Sequence, residues 1–166
     1  MIRMFSTHGQ RYPSTIPHRR WPWRLLALAV LGLACAPLHA ACTVSADGMI
    51  FGNYNDDSGV DSTGTITVTG CSASTSYTIT LSAGSSGDFS TRTMHADNDS
   101  SHTLNYNLYI DPTHLSIWGD GKDGSTSTVS DTGTGGSYTV YGRIPAEQNP
   151  YVGSYHDDAV IITLQF

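Results

Sequence analysis

Apolar residues recur at every second position in five stretches of the chain. Residues 65–69 put Ile66 and Val68 on one face, and residues 77–81 do the same with Tyr77, Ile79 and Leu81. Residues 104–110 align Leu104, Tyr106, Leu108 and Ile110, with Asn105 and Asn107 opposite. Residues 138–144 align Tyr138, Val140 and Ile144, with Gly142 on the same face, and the last run aligns Val160, Ile162, Leu164 and Phe166. A period of two is the mark of a strand with one buried face. Shorter runs at 49–54, 89–94, 115–118 and 127–130 read as further strands. Turn-forming clusters lie between them, at 55–59, 83–87, 119–121 and 132–136. No segment after residue 41 keeps a 3.6-residue apolar period. The pattern predicts an all-β fold, an immunoglobulin-like antiparallel β-sandwich.

Composition agrees with this pattern. Charged residues are only 13% of the chain, while Ser, Thr and Gly number 20, 20 and 17 of 166. A helical bundle needs Ala, Glu, Lys and Leu instead. Charge is divided along the chain. Residues 1–40 hold five arginines and no acid; residues 41–166 hold three bases and all 14 acids, a net of −11. A body of that charge is repelled by phosphate backbones and anionic lipid, which argues against nucleic-acid binding and stable membrane insertion.

The basic N-terminal region leads into ten apolar residues, 25–34, and then into Pro37-Leu38-His39-Ala40-Ala41. A charged segment, a short apolar core and small residues read as a secretory signal over 1–41, cleaved after Ala40 or Ala41. Ten helical residues rise only about 15 Å, too little to span a bilayer. Pro22 follows the Arg19-Arg20 pair, which favours the general secretion route over twin-arginine export. Gly32 stands where a lipoprotein signal ending at Cys35 needs a large aliphatic residue. The mature domain, 42–166, keeps Cys42 and Cys71, and two cysteines in an exported chain are expected to pair. Closing a loop of about 30 residues restricts the unfolded chain by about 3–4 kcal/mol.

No catalytic set, cofactor site or metal centre is singled out. Gly119 to Gly124 spells G-x-G-x-x-G, but a β-type run follows it where a dinucleotide site needs a helix. The loops at 97–100 and 120–123 are acidic but lack the spacing of a twelve-residue calcium loop. His95, His102, His114 and His156 are scattered among aspartates with no nucleophile elbow. Trp118, just ahead of Gly119-Asp120-Gly121, has two readings. Exposed, it stacks on a sugar while Asp120 accepts hydroxyl hydrogen bonds; buried, it ends a strand in the core.

Four collinear pieces carry a resemblance. They are Cys42-Thr43-Val44-Ser45 with Phe51-Gly52-Asn53-Tyr54; residues 61–68 ahead of Cys71; residues 104–109 with Trp118-Gly119-Asp120-Gly121; and residues 141–146 with 153–157 and the closing 160–166. Together they resemble the spore coat protein U domain family, which includes subunits of archaic chaperone–usher pili. The resemblance implies a non-enzymatic sandwich lacking its last strand. It implies three partners: a periplasmic pilus chaperone, an outer-membrane usher and a neighbouring pilus subunit. It also implies export through the periplasm to a surface fimbrium, with roles in adhesion and biofilm.

On that reading Val160, Ile162, Leu164 and Phe166 line an acceptor groove, with Ile66 and Val68 across the core, and Cys42–Cys71 pins the first strand. Cleavage next to Cys42 leaves no donor extension, which suggests a terminal, tip position. The competing reading is a self-complete secreted coat or carbohydrate-binding sandwich, with Trp118 and Asp120 as contacts.

Overall fold

The structure is a computed structural model that describes residues 2–6, 42–122 and 124–166. Among these described residues lie nine strands: β1 (Ile2–Ser6), β2 (Thr43–Ala46), β3 (Val60–Thr69), β4 (Ser76–Leu81), β5 (Arg92–Ala96), β6 (Thr103–Tyr109), β7 (Val129–Thr132), β8 (Gly136–Ile144) and β9 (Tyr155–Gln165). A single 3-10 turn, Gly84–Ser86, lies between β4 and β5. Strand pairing follows the order β2-β3-β8-β6-β5-β9-β4-β7, antiparallel throughout, and β1 joins β9 in parallel. Among the described residues no helix is long and apolar enough to cross a membrane.

The ribbon folds over on itself. Tyr77 of β4 and Tyr138 of β8 lie far apart in the pairing order, yet their rings meet edge to face at 6.4 Å and their hydroxyls hydrogen-bond. One apolar core joins Ile66, Val68 and Val140 from β3 and β8 to Ile79, Leu81 and Ile162 from β4 and β9. That is the two-layer packing expected from strands with one apolar face each. The predicted inward sets of β3, β4, β6 and β8 are buried as the alternation required, except that Tyr138 and Ile110, which lies past the end of β6, are half-buried.

Several expectations need correction. Residues 49–54 form no strand; Met49, a single β-bridge position, is fully buried, and Phe51 packs edge-on against Tyr106 at 6.1 Å. Both occupy the space over Gly142, where a Cβ would run into Met49 Sδ and the Phe51 ring. The glycine on the apolar face of β8 is therefore a gap filled by a loop. Residues 115–118 give only isolated bridges, Tyr109 with Ile117 and Trp118 with Ser127, and Leu115 is turned outward. The strand expected at 89–94 begins only at Arg92, and that at 127–130 runs instead over Val129–Thr132. Asn107, expected outward, is buried and donates to the carbonyls of Phe89 and Ser90.

On the outer faces, hydroxyls meet across strands. Ser76 pairs with Thr132 at 2.9 Å, Thr78 with Ser130 at 2.9 Å and Thr43 with Thr69 at 3.0 Å. Such Thr/Ser cross-strand pairs are among the units that stabilise a sheet.

Candidate functional site

β9 is the element on which the sequence-predicted groove residues converge, and its local structure follows from its sequence. Asp157 points inward, the next two residues, Asp158 and Ala159, are both exposed, and Val160 points inward again. Two outward residues in a row break the period of two, which is a bulge. At this point β9 changes neighbours. Its start pairs with β5 through Ala96–Tyr155 and His95–His156, and its end pairs with β4 from Leu81–Ile162 to Thr78–Gln165.

The 3-10 turn fills the interval between β4 and β5. Ser85 donates to Asp157 from its hydroxyl at 2.6 Å and its backbone N–H at 3.2 Å. Gly84 is required there, since it has φ +70° and a Cβ would run into the Asp157 carboxylate.

The other edge of β9 carries β1. The pairs are Ile2–Asp157, Met4–Val160, Phe5–Ile161 and Ser6–Ile162, with a register shift between Ile2 and Met4 that matches the bulge. Ile162 pairs with both Leu81 and Ser6, so β1 and β4 lie on opposite edges. β1 also comes close to β2, which itself approaches β9. In the full-length chain, then, residues 2–6 lie along the edge that the incomplete-sandwich reading assigns to another molecule. Among the described residues, no strand continues along that edge beside residues 163–165.

Of the predicted groove residues, Val160 and Ile162 are buried, Leu164 is half-buried, and Ile66 and Val68 lie in the same core. Phe166 departs from the expectation. It lies past the end of β9, is 75% exposed, and lines a shallow cleft of about 520 Å³ with Ser76, Tyr77 and Asp131. Alternation put it on the apolar face, but the ladder with β4 stops at Gln165, one residue short of it. Cys42 and Cys71 are disulfide-bonded, which ties the residue before β2 to the end of β3.

Under β9 lies a polar core that the alternation pattern did not reveal. Asp157 is fully buried and accepts, besides Ser85, the Tyr106 hydroxyl at 2.7 Å and the Ala159 N–H at 3.0 Å. Arg92, also fully buried, donates to the carbonyls of Ser82 (2.8 and 3.1 Å) and Trp118 (2.7 Å) and to Asn107 Oδ1 (2.5 Å). Every buried side-chain nitrogen and oxygen among the described residues has a partner, as low-dielectric interiors demand. Burial pulls the guanidinium down to about 10, opposed by Tyr106 and Asp157. Burial, and then the Asp157 charge, pushes the Tyr106 phenol up. The signal for this network was Arg92 itself, one of three bases after residue 41, set in an alternating strand where inward and outward positions can be counted.

The sugar-stacking reading of Trp118 is corrected. The indole is 0% exposed and donates from Nε1 to the Ile79 carbonyl at 3.0 Å, so neither of its faces meets solvent. Asp120 pairs with Lys122 at 3.6 Å instead. The G-x-G-x-x-G stretch is a loop and opens no helix among the described residues.

Against known families, the model described as the Spore Coat Protein U domain matches residues 27–163. The chain belongs to that family. A search of curated proteins finds no match. Three solved structures are similar. The Salmonella SafD adhesin is 12% identical, with 69% of this chain and 77% of that one covered and a TM-score of 0.40. The minor tip subunit HdaB of the E. coli Hda pilus is 9% identical, with 75% and 81% covered and a TM-score of 0.40. A structure describing fibronectin binding and biofilm formation by AAF fimbriae of enteroaggregative E. coli is 11% identical, with 75% and 98% covered and a TM-score of 0.39.

Proposed function

We propose that the exported domain is a non-catalytic structural and adhesive subunit of a surface pilus, completed by a backbone segment of another molecule laid along β9. The observation that carries this reading is the pairing of β1 with β9. The edge opposite β4 accepts an extended segment over Asp157 to Ile162, and the segment found there lies within the leader read from the sequence. Removal of the leader takes residues 2–6 away with it and leaves main-chain donors and acceptors beside Val160 and Ile162 unpaired.

A bare edge next to core side chains drives aggregation. Strand addition by a partner supplies the missing hydrogen bonds and covers the side chains at alternate positions. In the family's assembly scheme a periplasmic chaperone holds this edge first, and at the outer-membrane usher a neighbouring subunit replaces it. On this reading cleavage beside Cys42 leaves no segment to donate onward, which supports a position at the fibre tip.

The test is export of the full-length chain with and without a co-expressed pilus chaperone. The expected result is a soluble one-to-one complex with the chaperone and little soluble protein without it. Abundant, stable, leader-free monomer in the periplasm would overturn the reading.

A further inference from the structure

On the outer face of the sandwich, His95 of β5 and His156 of β9 are directly opposed in the antiparallel register. Opposed residues share a face, with Cβ atoms about 5 Å apart. The strands bury Met94 and Asp157 and turn both histidines outward. His156 keeps 42% of its side chain exposed.

Both rings are held in the same way by the loop between β5 and β6. His95 Nδ1 lies 2.8 Å from the Ser100 carbonyl, which can only accept, so Nδ1 carries the proton. His156 Nδ1 lies 2.5 Å from Asp97 Oδ1 and donates to that carboxylate. In neutral imidazole this assignment leaves the lone pair on Nε2 of each ring. Among the described residues, no group hydrogen-bonds either Nε2.

Two imidazoles on one face, each oriented through its other nitrogen by a carbonyl or a carboxylate, have the surroundings of metal-ligating histidines. We propose that His95 and His156 form a two-imidazole site for a divalent transition ion of the zinc, copper or nickel class. Nε2 of each ring is the ligand atom, and Ser100 and Asp97 are positioning groups. Imidazole suits these ions, at about 2.0–2.1 Å for zinc, and a Cβ separation of about 5 Å lets two rings converge on one centre. No group of three or more His, Cys, Asp or Glu among the described residues is placed to hold an ion, so water completes the coordination. The ion would staple β9 to β5 just ahead of the bulge, and its binding competes with protons for the imidazoles.

The experiment uses the exported protein purified as its complex with a co-expressed pilus chaperone through a tag without histidines, with the chaperone alone as control, titrated with Zn²⁺ alone and, separately, with Cu²⁺. One ion per chain is expected, with affinity reduced at least tenfold in His95→Ala and in His156→Ala and lost in the double variant. Asp97→Asn should weaken binding about tenfold, as outer-shell partners do, while His102→Ala should leave it unchanged. In the unmutated protein, paramagnetic Cu²⁺ should broaden the ring signals of His95 and His156 first, a readout that needs no variant to fold. Undiminished binding by the double variant, no binding at millimolar ion, or broadening that begins elsewhere would overturn the proposal.

Discussion

Asp157→Asn preserves the shape of a buried side chain and removes its charge, so it isolates what the carboxylate does beneath β9. In the native chain that carboxylate accepts from Ser85 Oγ at 2.6 Å, Tyr106 at 2.7 Å, Ala159 N at 3.0 Å and Ser85 N at 3.2 Å. Hydrogen bonds to a charged group contribute about 1.5–3 kcal/mol each, against about 0.5–1.5 for neutral ones. An asparagine can keep its oxygen toward Ser85 and Ala159 and offer its amide to the Tyr106 oxygen. The bonds then survive in weaker form, at a loss of about 1 kcal/mol for each of the three partners, Ser85, Tyr106 and Ala159. Arg92 also loses a compensating charge in the same interior. The expected destabilisation is therefore about 3 kcal/mol.

Tyr106→Phe removes one of the same bonds and should cost about 1.5–3 kcal/mol. Because the two substitutions act on a shared contact, the double variant should lose about 1–2 kcal/mol less than the two single losses together. Equilibrium urea unfolding of the four proteins in the same chaperone-free or chaperone-bound state supplies the comparison. A loss under 1 kcal/mol in Asp157→Asn, or strict additivity in the cycle, would refute the assignment of Asp157 as the organiser of this region.

Gly142→Val should destabilise by about 1–3 kcal/mol through overpacking against Met49 and Phe51; Met49→Ala in the same chain should recover part of that loss in urea unfolding. Asp111 caps its own turn, accepting from Thr113 N at 3.0 Å and Ser116 N at 2.8 Å. The Thr113 hydroxyl is the largest cause holding its carboxyl down to about 2, with backbone amides adding to it against desolvation. A carboxyl whose folded value is depressed contributes stability above its unfolded value of about 3.9 and loses it as pH falls toward the folded one. Asp111→Asn should therefore melt below the wild type at neutral pH, and the gap should close between about pH 4 and pH 2.

The strands were legible wherever the buried partner lay in the same strand's alternation. Ile66 and Val68, Tyr77 to Leu81, and Val160 with Ile162 each show their face in the residue pattern because a sandwich strand has one wet and one dry side. The errors fell where side chains enter the core from outside the strands, as Met49 does, or where a strand ends, as at Phe166. Arg92 and Asp157 escaped because burial of a charge depends on its partners, most of them ten or more residues away in the chain. The proposed acceptor edge was assigned to β9 from its apolar face and from the family resemblance. Its bulge was hidden by Asp158 and Ala159, whose side chains look like ordinary loop residues in the letters alone. The opposed histidines needed the register between β5 and β9, a long-range quantity fixed only by the fold.

The paired hydroxyls at Ser76–Thr132, Thr78–Ser130 and Thr43–Thr69 have a bearing on where such a domain can work. Attraction between opposite charges on a wet surface fades as ions crowd in, within about 10 Å at 0.1 M salt. A neutral O–H to O contact carries no net charge for those ions to screen. A surface knitted across its strands by alcohol groups keeps its lateral cohesion from dilute solution to brine.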